Sequence, residues 1–202
     1  MKEVDKMARM DDSKKTRILA VIFVFLLVAS TFGIMFSGFG SQKQVLEFNK
    51  YTFELDNNYW VTKVNKTEVK IQSNPYDLVN IQVDDSISDR IRASKMIYLA
   101  FPLKGDSPEY AAGAVYDLSD FLKKRSIYAL RGASDDNRGY DLIPIIDCRN
   151  ATANLPVILL ASTNETSSRI VMEVDCVRLE AVRPQDFIAL KDRLVLKIAG
   201  IA

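Results

Sequence analysis

The sequence has no histidine, only two cysteines and no common phosphate-binding motif, and each shortage excludes a class of function. Without histidine, neither a Ser-His-Asp or Cys-His catalytic set nor a His-ligated zinc site can form. Cys148 and Cys176 are not spaced as C-x-x-C, which argues against a thioredoxin-type redox centre. Neither the P-loop pattern nor the G-x-G-x-x-G pattern of dinucleotide-binding folds is present. We therefore expect no cofactor and assign no catalytic residue.

Composition places the chain among folded proteins with nearly balanced charge. Over 202 residues, 27 basic and 26 acidic side chains give a formal net charge of +1. A general polyanion-binding surface is not indicated, so nucleic acid is not an expected partner. The 48 % hydrophobic and 26 % charged content is close to globular averages and argues against gross disorder. The length suits one domain plus an anchor.

A long apolar run lies near the N-terminus. Residues 18–36 read ILAVIFVFLLVASTFGIMF, and no charge occurs between Arg17 and Lys43. Because about 20 apolar residues cross a bilayer core of roughly 30 Å, the run is long enough for one span. We predict a transmembrane helix over residues 18–39, through which the chain contacts the lipid bilayer, followed by a linker over 40–44.

The flanking charges predict the orientation of this helix. Residues 1–17 carry six bases: Lys2, Lys6, Arg9, Lys14, Lys15 and Arg17. Basic flanks stay in the cytoplasm, so we predict a cytoplasmic basic tail over 1–17 and an extracytoplasmic domain over 45–202 of a single-pass cell-membrane protein. Two alternatives remain open at this stage. One is a signal peptide cleaved near residues 37–41, although such peptides have shorter apolar cores, and the other is a buried core helix.

The remaining residues predict an α+β domain. The alternating segments VLEFN, YTFEL, YWVTKV and EVKIQ, separated by polar turns, predict an N-terminal antiparallel meander. The apolar run KMIYLAF at 95–101, a helix from Ser107 to about Arg125 and a strand over 126–130 predict a β-α-β unit. Three further strands are predicted, over 143–147, 156–161 and 169–180.

Two more helices complete the predicted mixed sheet with helices packed on it. A short helix over 86–94 is expected to open at a serine cap. An amphipathic helix begins at Pro184, and Lys191, Asp192, Arg193 and Lys197 interrupt its apolar stretches, so it is not a second membrane span. Its predicted core positions are Phe187, Ile188, Leu194, Val195 and Ile198.

One resemblance accompanies this layout. The succession FNKYTFELDNNYWVTKVNKTEVKIQ, a helix, KMIYLAF and finally DFIALKDRLVLKIAGI resembles the layout of a group of uncharacterised archaeal single-pass membrane-anchored proteins. The resemblance covers most of residues 45–202. It implies the single-anchor arrangement and no particular activity.

Cysteines and asparagines supply two kinds of candidate site. An extracytoplasmic location permits a disulfide between Cys148 and Cys176, and the alternative is two reduced, buried thiols. Asn65, Asn150 and Asn164 each begin an N-x-T glycosylation sequon. We predict these three as glycan sites of a glycoprotein, with unmodified turn residues as the alternative.

One acidic loop forms a candidate metal site. Asp135, Asn137 and Asp141 form a D-x-N-x-G-x-D series, whose alternate oxygens could surround Ca²⁺. An EF-hand loop would require glycine at its sixth position and glutamate at its twelfth, where this chain has Tyr140 and Ile146. The competing interpretation is a solvated turn.

Together these patterns predict a binding or accessory subunit of a membrane or envelope assembly, with a protein as its partner. The alternative is a membrane-tethered hydrolase that uses carboxylates or a Ser–Lys pair. Such an enzyme would require a pocket holding at least two convergent residues with shifted pKa values. A third option, a substrate-binding module, would show an apolar cleft without catalytic groups.

Overall fold

The structure is a computed structural model that describes residues 17, 19–28, 44–135 and 142–201. The chain divides into two units, residues 1–43 and 44–202. In the first unit, residues 17 and 19–28 are helical (α1), and the large apolar side chains among them are 46 % to 71 % exposed.

The predicted anchor falls mostly outside this description. Residue 18 and residues 29–39 of the predicted span are not described, and neither are residues 1–16 and 40–43. In the part of the chain that is described, no helix is both long enough and apolar enough to cross a membrane.

The second unit begins with a four-stranded antiparallel meander. Its strands follow chain order: β1 (Val45–Phe48), β2 (Tyr51–Asp56), β3 (Tyr59–Val64) and β4 (Thr67–Ile71). Each connection is a two-residue turn whose residues both have φ between 46° and 69°. Turns with two positive φ angles match the twist of the flanking strands, and asparagine tolerates that conformation well. The predicted meander and its three polar turns are therefore confirmed.

A five-stranded mixed sheet follows, in the order β6-β5-β7-β9-β8. Its strands are β5 (Met96–Phe101), β6 (Tyr128–Ala133), β7 (Val157–Ser162), β8 (Arg169–Glu173) and β9 (Cys176–Ala181). The pairs β5-β6, β5-β7 and β7-β9 are parallel, whereas β8 is antiparallel to β9. The fold is thus α+β as predicted, but it has two separate sheets instead of one.

Three α-helices are described in the second unit, and two of them contact both sheets. These are α2 (Asp85–Ala93), α3 (Pro108–Lys124) and α4 (Asp186–Ala199). Both α3 and α4 contact β4 of the meander, and in the mixed sheet α3 contacts β5 and β6 whereas α4 contacts β9. The helices therefore separate the two sheets, and one apolar core joins all three layers. The predicted β-α-β unit is confirmed as β5-α3-β6.

Two predicted strands are wrong. Residues 143–147 form a single bridge between Ala133 and Ile145, because Pro144 has no N–H to donate to a ladder. Residues 169–180 are a hairpin, β8 and β9, that turns at Val174 with φ 56°. A β-branched residue rarely takes that conformation, so the sequence carried no ordinary turn signal there.

The helix ends also differ in detail from the prediction. Helix α2 is capped by Asp84, whose carboxylate accepts a hydrogen bond from the Ser86 backbone N–H at 2.7 Å, and no serine caps it. In α4, four of the five predicted core residues are buried, and Ile188 is half-buried. Lys191 and Asp192, which interrupt the apolar pattern, are only 1 % and 0 % exposed.

Candidate functional site

A groove lies between helix α3 and the meander. Its larger part has a volume of about 530 Å³, within the usual range of ligand sites. We define the tyrosine groove by six of its lining residues: Tyr59, Glu109, Tyr110, Gly113, Tyr116 and Asp117. Gln72, Ala114 and Ile188 complete the lining. A second hollow of about 270 Å³ shares Tyr59 and Asp117 and extends the groove along α3 as far as Lys124.

The periodicity of α3 creates one wall of the groove. Its buried positions are Ala111, Ala114, Val115, Leu118, Phe121 and Leu122, which pack on the core. Tyr110, Gly113 and Asp117 recur at i, i+3 and i+7, a spacing that places them on a common helix face. Tyr59, the first residue of β3, supplies the opposite wall.

A chain of polar contacts beneath the groove ties its walls together. Lys191 of α4 donates to the Asp117 carboxylate at 3.1 Å, and its ammonium lies 2.5 Å from Asp192 Oδ1. The backbone N–H groups of Gln72 and Ser73, just after β4, donate to Asp192 Oδ2 at 2.9 and 2.7 Å. Elements α3, α4 and β4 are therefore fixed relative to one another by one ionic network.

The same network reaches the opposite wall. The side-chain amide of Gln72 donates to the Tyr59 hydroxyl at 3.2 Å. These contacts fix the walls of the groove before any ligand binds. Binding therefore costs less conformational entropy than it would in a flexible groove.

Burial sets the electrostatics of this support. Burial raises the pKa of Asp192, and this effect outweighs the opposing influence of the Lys191 ammonium and the Ser73 hydrogen bonds. Asp192 Oδ1 takes no hydrogen bond of good geometry and meets Lys191 only as an ion pair. A buried charge with few partners costs folding free energy. Each contact that the Asp192 carboxylate makes therefore offsets part of the cost of burying it.

Gly113 leaves open space at the floor of the groove. A Cβ atom added at this position would meet nothing within 4 Å, and its φ is not in the left-handed region. Neither packing nor backbone geometry requires glycine here, although glycine in a helix interior costs about 0.8–1 kcal/mol relative to alanine. The missing side chain therefore keeps the groove open at the expense of helix stability.

The predicted disulfide is present elsewhere in the domain. Cys148 and Cys176 are joined, linking the short 3-10 helix Cys148–Asn150 to the first residue of β9. Cys176 belongs to a small apolar cluster with Ala100, Ile146 and Val157. The bridge thus fastens the 142–156 loop over one face of the mixed sheet.

All three sequon asparagines are exposed. Asn65 occupies the β3-β4 turn with φ 49°, Asn150 ends the Cys148–Asn150 helix, and Asn164 lies in the loop after β7. Exposure is what glycosylation requires, and modification itself stays a prediction.

The predicted metal series is only partly described. Asp135 Oδ1 accepts a hydrogen bond from the Leu103 N–H at 3.1 Å, whereas Asn137 and Asp141 lie outside the described residues. Among the residues that are described, no group of three or more acidic or cysteine side chains is arranged to hold a metal ion. The metal site stays a prediction.

Sequence reasoning missed the tyrosine groove, because its walls come from distant segments. Two local signals were available: an interior glycine in an amphipathic helix, and the regular spacing of Tyr110, Gly113 and Asp117. Neither a protein-family model nor a curated protein matches this chain.

The position of Lys191 can be compared with what a Ser–Lys hydrolase would require. A lysine that acts as a general base must reach the substrate with its amine. Lys191 is 1 % exposed, and two carboxylates enclose its amine. Its surroundings favour a role in positioning the groove.

Proposed function

We propose that this protein is a single-pass membrane-anchored subunit whose extracytoplasmic domain binds a protein partner through the tyrosine groove. The carrying observation is a groove with three tyrosines in its lining, supported from below by the Asp117–Lys191–Asp192 network. Tyrosine is enriched at protein interfaces because it combines an apolar body with a polar tip at low entropic cost.

The anchor part of the proposal is supported by residues 18–39. The described helical residues of this segment carry exposed, uncharged apolar side chains, which lipid would cover. Six bases precede the segment and favour a cytoplasmic tail. The disulfide adds support, because oxidising compartments lie outside the cytoplasm.

Site-specific photocrosslinking in native membranes tests the partner. A photoreactive amino acid at Tyr110 or at Tyr116 is expected to give a discrete heterologous adduct. Tyr128 on β6 is the matched control, since it is also exposed but does not line either hollow of the groove. Adducts that are equally abundant from all three positions, or none from Tyr110 and Tyr116, would contradict the proposal.

Alkaline carbonate extraction tests the anchor. The unaltered chain is expected in the membrane pellet. The double substitution Val24→Arg and Leu26→Arg should move it to the supernatant, because each charge costs roughly 2.5–3.5 kcal/mol at the centre of a span. Intact mass separates the two topologies, since cleavage near residues 37–41 would remove the tail and the apolar run together. A shortened, extractable chain would replace the anchor with a signal peptide.

A further inference from the structure

Among the residues that the structure describes, every charged side chain lining the larger part of the tyrosine groove is acidic. Glu109 and Asp117 contribute two carboxylates, and no described base lines this hollow. The smaller hollow adds Asp56, Glu68 and Asp120.

The two bases of the smaller hollow are already paired. Lys124 lies 2.8 Å from Asp120 and 3.3 Å from Glu68, and Lys70 lies 3.3 Å from Glu68. Five carboxylates line the two hollows against two lysines, and one of the five, Asp117, also pairs with the buried Lys191. The groove therefore keeps an excess of negative charge, which is complementary to a cationic ligand.

The aromatic lining favours the same class of ligand. The face of a tyrosine ring attracts an ammonium or guanidinium group that lies within about 6 Å of its centroid. One ring already shows this behaviour within the chain, because the guanidinium carbon of Arg131 lies 5.9 Å from the centroid of Tyr116. Arg131 adds positive charge at that end, so the end formed by Tyr59, Glu109 and Tyr110 suits an incoming cation better.

The dimensions of the groove define the size of the ligand. From Glu109 to Asp120 the helix rises by about 16 Å, at about 1.5 Å per residue. An extended chain advances about 3.3 Å per residue, so roughly five residues would lie along the groove. The space above Gly113 gives such a segment a point of close approach to the helix.

We infer that the tyrosine groove binds an extended basic peptide segment of a partner protein. A lysine or arginine side chain enters between Tyr59 and Tyr110 and pairs with Glu109. A following basic residue reaches the acidic hollow that contains Asp56 and Asp120. This inference rests on the proposed function, and it specifies the chemistry of the partner.

Peptide binding to the full-length protein in detergent tests the inference. The probes are fluorescein-labelled pentalysine, pentaarginine, pentaglutamate and pentaserine, and the readout is fluorescence anisotropy. We expect saturable binding of the two basic peptides, weakened by added salt, and no binding of the other two. Equal binding of pentaserine or pentaglutamate would overturn the assignment.

A steric plug separates groove binding from general attraction between opposite charges. Gly113→Leu fills the groove without changing any charge and is expected to weaken pentalysine binding by roughly tenfold or more, since it introduces a direct clash with the ligand. Ala112→Leu is the matched control, because the neighbouring exposed position does not line the groove. If both variants bind pentalysine like the unaltered protein, the peptide does not use the groove.

Charge and ring substitutions complete the test. Glu109→Gln and Tyr110→Leu are each expected to weaken pentalysine binding by about 2- to 5-fold. Glu47→Gln, an exposed position on β1 at the far edge of the meander, should leave binding unchanged. Equal losses in Glu109→Gln and Glu47→Gln would assign the effect to net charge and overturn the inference.

The two proposals fail separately. If photocrosslinking at Tyr110 captures a partner but the basic peptides do not bind, the groove is an interface and its basic ligand is refuted. If the basic peptides bind through Gly113 and Glu109 but no crosslink forms in native membranes, the peptide site stands and the role as a membrane subunit is refuted.

Discussion

The ammonium of Lys191 lies 3.1 Å from the Asp117 carboxylate, although 74 residues separate the two in the chain. This contact joins α4 to α3 directly below the tyrosine groove. Lys191 is also 2.5 Å from Asp192, so one buried cation serves two carboxylates. A ligand in the groove would therefore contact Asp117, which is half-buried and pairs with the buried Lys191 and, through it, with the buried Asp192.

Removal of the buried cation should destabilise the fold strongly. Lys191→Met keeps most of the side-chain volume but leaves Asp117 and Asp192 without their cation. Because an uncompensated buried charge is costly, we expect a loss of about 3–5 kcal/mol in the free energy of unfolding. Urea denaturation followed by circular dichroism measures this loss.

The control for this substitution lies on the same helix. Lys197 pairs with the exposed Asp85 at 2.6 Å, so Lys197→Met removes a contact that water largely screens. We expect a loss of less than about 1 kcal/mol. Similar losses for the two variants would mean that the Asp117–Lys191–Asp192 network does not act as a buried ionic cluster.

The raised pKa of Asp192 predicts a distinctive pH dependence of stability. Because burial raises its pKa above the ordinary 3.8, the folded protein holds this proton more tightly than the unfolded chain does. The associated stability is present in full below pH 3.8 and is lost as pH rises through the folded-state pKa. The Asp192→Asn variant has no proton to lose at this position. As pH rises, the free energy of unfolding of the unaltered protein should therefore fall relative to that of the variant.

The size and sign of this effect can both be checked. One proton accounts for at most about 1.4 kcal/mol per pH unit in the difference between the two urea-denaturation free energies. Asp186 provides the opposite case, because hydrogen bonds from Arg183 and Ser168 outweigh its burial and lower its pKa. Its contribution is present above pH 3.8 and is lost as pH falls, so Asp186→Asn should show the reverse slope. If the stability difference between variant and unaltered protein changed with pH in the same direction for both variants, the opposite pKa shifts assigned to Asp192 and Asp186 would be contradicted.

Gly113 should be replaceable by alanine with a gain in stability. The added Cβ meets nothing within 4 Å, and alanine is the better helix former. We expect Gly113→Ala to raise the free energy of unfolding by about 0.5–1 kcal/mol, and Ala112→Gly to lower it by a similar amount. Thermal unfolding of both variants measures this. A destabilised Gly113→Ala would mean that packing of the domain, and not the open groove, requires the glycine.

Local patterns predicted the parts of the fold that depend on neighbouring residues. The asparagines at 49, 57 and 65 fix three hairpin turns, because they tolerate positive φ. The apolar spacing of α3 and the uninterrupted run of β5 likewise determine how these elements are buried. The predicted extracytoplasmic location favoured a disulfide between the two cysteines, and the structure shows which elements the disulfide joins.

Long-range contacts explain what the sequence did not predict. Lys191 lies four residues after Phe187 and four before Val195, on the apolar face of α4, and a charge there is normally assigned to solvent. Its burial is tolerable because the carboxylates of Asp117 and Asp192 lie beside its ammonium, and Asp117 is on another helix. The β8-β9 turn was missed because Val174 adopts a conformation that its residue type disfavours.

The three sequons give a test of orientation that does not depend on the groove. In a host that glycosylates N-x-T sites, the chain should carry glycan that a glycosidase removes. Thr67→Val, Thr152→Val and Thr166→Val should each remove one mass step while leaving the asparagine turn residues in place. A membrane-bound chain with no glycan at any site would contradict the extracytoplasmic assignment of residues 45–202.

Loss of the disulfide should weaken the domain and loosen one loop in particular. Cys148 and Cys176 are 28 residues apart, and closure of a loop of this length contributes about 3–4 kcal/mol in the chain-entropy model. We expect the double variant Cys148→Ala and Cys176→Ala to lose about 2–4 kcal/mol in urea denaturation. Hydrogen exchange should accelerate most in the 142–156 loop, because the bridge fastens this loop to β9. The amides of α3 should open only with the whole domain, since their helix packs on the main core. Faster exchange in α3 than in the loop would show that the bridge supports the core instead.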